Sequence, residues 1–528
     1  MIRSRRPAPV VGSADLSRMM MVLAGLVGVM QLGACRPPSP VTLGGSGGSF
    51  GSGGSGSGGS GSGGSSSGGR TGSGGVTASG GASSGGQTGS GGFGSGGGLG
   101  TGGLTGMAGN TGDAAVSDAP DAAVDAGPTC TLAKGPMAKQ TGMNFPFPQN
   151  RQATRCTYPV AYCNDDVMKA YNQWKADTVT KDGAPAGRRV KRPNEPGLDK
   201  DSTVSEGIGY GMLIAVYMND QSLFDDLWMY EQKFVDGKTG LMNWYIKPDG
   251  SGPEMNGNGP ATDADEDMAF ALIMADKQWG GKGALSKNYI DIAKDTLTSI
   301  WNNEIFNYKY LKPGDWGDNN ATNLSYFAPA YYRLFAKVDT ANATNWMNVI
   351  DTMYDLLNNK AISSGNGNQS NGLVPAWCDA GGKPNGGAFG PTGGAAPTNY
   401  QYDSCRTPFR IGLDWCWNGE TRAQTYVTLT SNFFSGKTVA KMVDGYDLNG
   451  TEHPEQQKDS NAMVQSAAFI GPAGVGAMSD VKYQTFLNDA YAAVATGKAL
   501  VGGTYYDESW MVMSMLMMTG NFLDYTTY

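Results

Sequence analysis

The chain has 528 residues, 81 of them glycine, and a formal net charge of −8. Apart from the short GRRVKR segment at 187–192 it carries no run of Lys or Arg, so it offers no basic face to a nucleic acid or an anionic membrane surface, and a neutral substrate fits better. A single histidine, His453, lies in a TEHPEQQ loop beside proline, which excludes Ser-His-Asp hydrolysis, Cys-His nucleophiles and histidine-rich zinc sites and leaves proton transfer mainly to carboxylates.

In chain order, residues 1–35 read as an export signal. Arg3, Arg5, Arg6 and Arg18 precede an apolar run from Met19 to Met30, and QLGAC ends at Cys35. The run is shorter than a membrane-spanning helix needs. LGAC resembles a bacterial lipoprotein box, which makes Cys35 the candidate lipidated residue and the membrane of the cell envelope its partner; an ordinary signal peptide is the alternative. Residues 36–129 follow as a disordered tether. Gly, Ser and Thr alternate from Gly44 to Gly112, then an acidic Ala/Pro segment runs from Asp113 to Pro128, and neither buries enough apolar surface to offset the entropy of ordering. Setting Cys35 aside leaves Cys130, Cys156, Cys163, Cys378, Cys405 and Cys416. An even number in an exported chain permits disulfides, and the sequence does not choose among the pairings. Cys156 and Cys163 flank a short loop and are candidates to pair, and the last three read equally well as buried thiols. With no CxxC pair, neither a metal nor a cofactor is expected.

Residues 130–528 form the predicted folded domain. From Cys163 onward apolar residues recur with a period of about 3.6, separated by Gly-, Asn- and Pro-rich loops. Val167, Met168, Tyr171 and Trp174 mark a first helix, and Leu223, Phe224, Leu227 and Trp228 a third. Others start near Ser205, Asp263, Asn288, Ser325, Asn342, Asp403, Gly419, Ser460, Asp480 and Asp507, about a dozen in all. The second, fourth and twelfth are apolar around their circumference, as buried helices are, while the first, third, seventh and eleventh carry one stripe. This alternation predicts an all-α fold of six helical hairpins closed into a double ring, an (α/α)6 barrel. An open solenoid would call for a fixed-period repeat, which is not visible. If consecutive helices run antiparallel, the even-numbered ones open their N-termini onto one face.

Three acidic segments fall at such helix starts. In TVSEGIGYGML (203–213) Glu206 follows a capping Ser205, and three glycines leave the carboxylate bare to a ligand. GPATDADEDMAFALIMADKQW (259–279) opens a buried helix with four acids, more than the helix dipole explains; a calcium loop would want Gly and Glu where Met268 and Met274 stand. In YDSCRTPFRIGLDWCW (402–417) Asp403 and Arg406 stand three apart, close enough for the guanidinium to orient the carboxylate. Taken singly, each is also explicable as a cap, a dipole partner or an ion pair.

Together these segments resemble glycoside hydrolase family 8, in its endoglucanase-like branch. The resemblance runs from about Met143 to Tyr528 through SEGIGYG, ATDADEDMAFAL, SYFAPAYY (325–332), LVPAWC (373–378) and the final TGNF (519–522). It implies an (α/α)6 barrel that hydrolyses β-1,4-glycosidic bonds with inversion. Glu206 matches the family's proton donor and Asp403 its base. Asp263 matches the acid that holds the distorted sugar, and Tyr326 and Arg406 match residues that position the attacking water and Asp403. Inversion needs a protonated and an ionised carboxyl about 6.5–9.5 Å apart, and apolar walls with the Asp263 charge should raise Glu206. Trp244, Trp316, Tyr505 and Tyr506 are candidates to stack on sugar rings or to pack in the core, and the loop at Trp316 departs slightly from the family's spacing. The expected function is that of a monomeric inverting endo-β-1,4-glucanase, lipid-anchored at the cell envelope or secreted. Xylanase, lichenase and chitosanase activities stay open. Readings of other classes are a non-catalytic polysaccharide-binding lipoprotein and an (α/α)6 polysaccharide lyase.

Overall fold

The structure is a computed structural model that describes residues 133–134, 145–193, 198–317, 321–385, 398–454, 465–497 and 505–528. The export signal, Cys35, the tether, Cys130 and the helix start expected near Ser460 lie outside the described residues. Among those described there are twelve α-helices: α1 Asn164–Thr178, α2 Ser205–Tyr217, α3 Gln221–Glu231, α4 Thr262–Gln278, α5 Tyr289–Glu304, α6 Pro329–Val338, α7 Ala343–Tyr354, α8 Thr407–Asn418, α9 Thr421–Lys437, α10 Ala467–Ala477, α11 Gln484–Ala495 and α12 Tyr505–Met518.

The even-numbered helices form an inner ring, each packed on the next, and α12 closes it against α2. Composition explains which helices go inside. Every residue of α10 is buried, and on α2 every residue but Glu206 is buried. The odd-numbered helices lie outside against them with one buried stripe each; α5 buries Tyr289, Ile292, Ala293, Thr296, Leu297, Ile300 and Glu304, the three-and-four spacing of a single helical face. The result is the (α/α)6 barrel, and helices α6, α8 and α10 join the inner set beyond the three whose apolar character was plain in the sequence.

The connections divide the barrel into two unlike faces. Passages from an inner helix to the following outer one are short, as at 218–220 and 419–420, where Gly419 turns the chain with φ +68° and leaves no space for a Cβ beside Arg155. Passages from an outer helix to the next inner one are long, at 232–261, 305–328 and 362–406, and build the face where the inner helices begin. Two short antiparallel pairs brace that face: Thr203–Val204 with Tyr245–Ile246, and Thr322–Asn323 with Trp377–Cys378. On the opposite face Gln278, at the end of α4, bonds both backbone groups of Phe145, whose ring stacks on Tyr525 at 4.3 Å.

Several expectations are corrected. Asp403 stands ahead of α8, before a 3-10 turn Ser404–Arg406, because Pro408 suits only the first turn of the helix that follows. Ser325 likewise lies in a 3-10 turn, Leu324–Tyr326, with α6 starting at Pro329. Ser466 is the cap of α10, accepting from Ala468 N at 3.2 Å. Cys156 pairs with Cys416, at the end of α8, and not with its neighbour Cys163, which is free, as are the buried Cys378 and Cys405. His453 is exposed, with Nδ1 3.0 Å from Asp447 Oδ1.

Candidate active site

The long-loop face gathers the residues singled out in the sequence. Glu206 is the second residue of α2, Asp263 the second of α4, Tyr505 the first of α12, and Asp403 precedes α8. Acids at these positions meet the partial positive charge of unsatisfied helix N–H groups. The inner helices approach closely enough to bring them together because Gly209 replaces a side chain where α2 meets α4; a Cβ there would lie 3.1 Å from Asp267 Cβ and 3.2 Å from Ala264 O.

Arg406 joins the three carboxylates. Its side chain is wholly buried, with Nη1 donating to Glu206 Oε2 at 2.5 Å, Asp263 Oδ2 at 2.7 Å and Tyr210 OH at 3.0 Å, and Nη2 donating to Asp403 Oδ1 at 3.0 Å. Nε donates to Ser325 Oγ at 3.0 Å. The ring of Tyr326 lies against the guanidinium, 5.2 Å from centroid to Cζ. Exposure separates the acids that this cation binds: the side chain of Asp263 is 3% exposed, that of Glu206 18% and that of Asp403 30%. Glu206 and Asp403 therefore reach the solvent of the cleft, while Asp263 is buried on the same guanidinium.

Glu206 has the electrostatics of an acid. Burial pushes its carboxyl up to about 7, Arg406 opposes the rise and Asp263 adds to it. The Tyr505 hydroxyl donates to its other oxygen, Oε1, at 2.5 Å, and so acts to lower it. Asp403 is held by neutral donors as well as by Arg406: Gln401 Nε2 at 3.1 Å and Trp377 Nε1 at 3.3 Å both reach Oδ2, and Gln401 Oε1 accepts from Asp403 N at 2.9 Å. That leaves a carboxylate whose oxygens are oriented and whose side chain still meets solvent.

The candidate stacking residues divide. Half-buried Trp316 packs with Trp377, centroids 6.5 Å apart, and Trp377 in turn meets Tyr326 at 6.0 Å, so these rings form one aromatic wall beside Asp403. Tyr505 contacts Glu206 through its hydroxyl while its ring lies under Arg192, 5.6 Å from Cζ. The Tyr506 hydroxyl bonds Tyr402 O, next to Asp403. Trp244 is buried, its Nε1 donating to Asn256 O at 2.9 Å and its carbonyl accepting from Ser205 N at 2.9 Å, one residue from Glu206. Sequence reasoning missed Trp377, Gln401, Tyr210 and Ser325. Trp377, Tyr210 and Ser325 were within reach through the LVPAWC, SEGIGYG and SYFAPAYY motifs, but Gln401 carried no local signal.

One helical turn further into the barrel the same chemistry recurs. Arg410 binds Asp267 through both terminal nitrogens, at 2.9 Å each, and Glu266 at 3.0 Å. All three side chains are 2% exposed or less, and burial pushes Glu266 well above the usual carboxylate range.

Comparison with known proteins agrees with this geometry. Residues 145–520 match the family model described as glycosyl hydrolases family 8. The chain is 36% identical to Endoglucanase 2 of Ruminiclostridium josui over 73% of this chain and 78% of that protein, and 37% identical to Endoglucanase A of Acetivibrio thermocellus over 67% and 69%. A solved apo structure of a β-1,3-1,4-glucanase from Paenibacillus sp. X4 superposes with a TM-score of 0.63 at 31% identity, covering 72% of this chain and 99% of that one. A family match over most of the chain, carried by a barrel with this cluster of acids at its open end, makes the protein a member of glycosyl hydrolases family 8.

Proposed function

We propose that the protein is an inverting endo-β-1,4-glucanase in which Glu206 is the acid and Asp403 the base. The reading rests on one observation above the rest: Arg406 binds three carboxylates, and only the two assigned to proton transfer reach the cleft. Glu206, raised to about 7, keeps its proton up to the neutral range and gives it to the glycosidic oxygen as the C1–O bond breaks. A water on the opposite face of the sugar attacks C1 and yields its proton to Asp403, so the anomeric configuration inverts. Asp263 holds the ring between them, and Arg406 with Tyr326 keeps Asp403 and the water in line. The names of the relatives favour glucan as substrate, and mixed-linkage β-1,3-1,4-glucan is the second reading, favoured by the solved glucanase.

NMR of the first-formed product on cellulosic, mixed-linkage and xylan substrates tests this. The α-anomer from a glucan, with loss of product formation in Asp403→Asn, is the expected result; a β-anomer as first product, or release from xylan alone, would overturn it.

The same proposal places the enzyme outside the cytoplasm. An LGAC sequence after an apolar run supports cleavage before Cys35 and lipidation of that residue, with 36–129 as a tether and 130–528 acting as a monomer. Mass spectrometry of the mature N-terminus checks this, and an unmodified residue other than Cys35 at that end would refute it.

A further inference from the structure

The most strained exposed aromatic among the described residues lies away from the acids. α5 ends at Glu304, and Ile305–Phe306 then pairs antiparallel with Tyr310–Leu311 around a three-residue turn. Within the turn Asn307 has φ +50° and Tyr308 φ +60°. Asn tolerates that region, but a tyrosine there is strained, since its Cβ crowds the carbonyl. Burial does not offset the strain, because Tyr308 is 69% exposed. Most of the ring stays in solvent, so burial does not explain a tyrosine at this position, and a strained ring left open points to a use for that face.

The neighbours show what that use is. The ring of Trp301, half-buried, stands 6.2 Å from that of Tyr308, with 35° between the planes. Trp301 is itself fixed from behind by fully buried Trp346, edge-on at 4.8 Å. Exposed Asn302 and Asn307 are the chain neighbours of the two aromatic residues, neutral groups able to donate and accept. Lys309, next to Tyr308 in the chain, turns its charge over Tyr310, 5.1 Å from that ring. Two rigid aromatic faces with uncharged amides next to them in sequence suit a neutral sugar chain, whose C–H faces stack and whose hydroxyls bond.

The platform also lies on the right face. α5 runs antiparallel to α4, so its last turn stands at the end where α4 begins; Glu304 interacts there with Thr262 and Asp265. The hairpin continues directly into the loop that carries Trp316 to the aromatic wall beside Asp403.

We propose that Trp301 and Tyr308 form a second polysaccharide-binding platform on the rim of the catalytic face, outside the cleft, that takes neutral β-glucan chains. This rests on the glucanase reading, and it is tested separately from it.

Tyr308→Asn removes the ring and places at the turn a residue that accepts positive φ, so the variant should fold at least as well as the wild type. Binding is measured by affinity electrophoresis in soluble β-1,4-glucan with the full chain in a Glu206→Gln background, and turnover on cellotetraose and on polymer in the active background. The expected result is a roughly 3–10-fold weaker retention by polymer, the effect of one aromatic contact, a matching rise in KM on polymer, and unchanged kcat/KM on cellotetraose. Equal retention of the two proteins overturns the platform. So does a Tyr308→Asn variant that melts lower than wild type, which would give the tyrosine a structural role, or one that changes only the sedimentation coefficient, which would make the patch a contact between copies. If the wild type cleaves no glucan at all, the glucanase reading fails, and the retention measurement still reports on the platform.

Discussion

Two tiers of arginine and carboxylate lie one helical turn apart along the barrel, and they behave as opposites. In each, an arginine of the α8 segment reaches across to α4: Arg406 to Asp263 and Arg410 to Asp267. Both arginines are spaced by one turn, as are both aspartates, so one periodicity builds the pair of tiers. The lower tier is sealed, and its charges only hold α8 to α4. The upper tier adds Glu206 and Asp403, opens them to solvent, and leaves Arg406 with more carboxylates than it can neutralise. Chemistry comes from the accessible edge: Arg410 also binds two carboxylates, and burial favours the protonated form of Glu266, but that tier is sealed and a proton there has nowhere to go.

The comparison is sharpened by substituting one acid in each tier. Glu206→Gln should lower kcat by about 10²–10⁴-fold, the usual contribution of a general acid, while the urea midpoint stays near that of the wild type. Asp267→Asn should do the reverse. It breaks a buried bidentate pair and should cost about 3–5 kcal/mol in urea unfolding, with kcat per folded molecule largely kept. If Asp267→Asn instead abolishes turnover in a protein that melts normally, the division between the tiers is wrong.

Smaller effects come from pH. Burial pushes Glu231 and Glu304 up to about 8 and moves Asp265 in the same direction, with Glu304 adding to the shift of Asp265. These groups hold protons in the folded state that the unfolded chain gives up above about pH 4.5. Unfolding then releases protons, so stability is fully present below that pH and is lost as pH rises toward 8. Urea midpoints measured from pH 5 to 8 should fall, and Glu304→Gln should flatten the slope; a rise over that range would contradict the assignment. The smallest effect concerns the upper tier alone. The activity of the wild type should decline above about pH 7 as Glu206 loses its proton. Because the Tyr505 hydroxyl lowers Glu206, Tyr505→Phe should move that decline to higher pH by a fraction of a unit, visible in kcat/KM profiles.

How much of this was legible beforehand follows from the range of each interaction. The twelve helices and the shared face were readable, because periodicity is local and an antiparallel ring has few other ways to close. Glu206 and Asp263 were readable as acids opening buried helices. The starts of α6 and α8 were displaced by Pro329 and Pro408, whose effect on the preceding residues outweighs helical patterning. Arg406 was expected to serve Asp403 three residues away; that it also binds Glu206 and Asp263 depends on segments about 200 and 140 residues distant, which no local pattern encodes. The same holds for Cys156 with Cys416, 260 residues apart, and for the bond from the Tyr505 hydroxyl to Glu206, 299 residues away.

The contact between Phe145, Gln278 and Tyr525 has a bearing on where the domain tolerates attachment. It brings the first described residues of the body to the face where the inner helices end, so the two ends of the domain are neighbours and both lie at the back. A fusion or insertion at that end would stand away from the acids, and the long-loop face would stay clear for a polymer to approach.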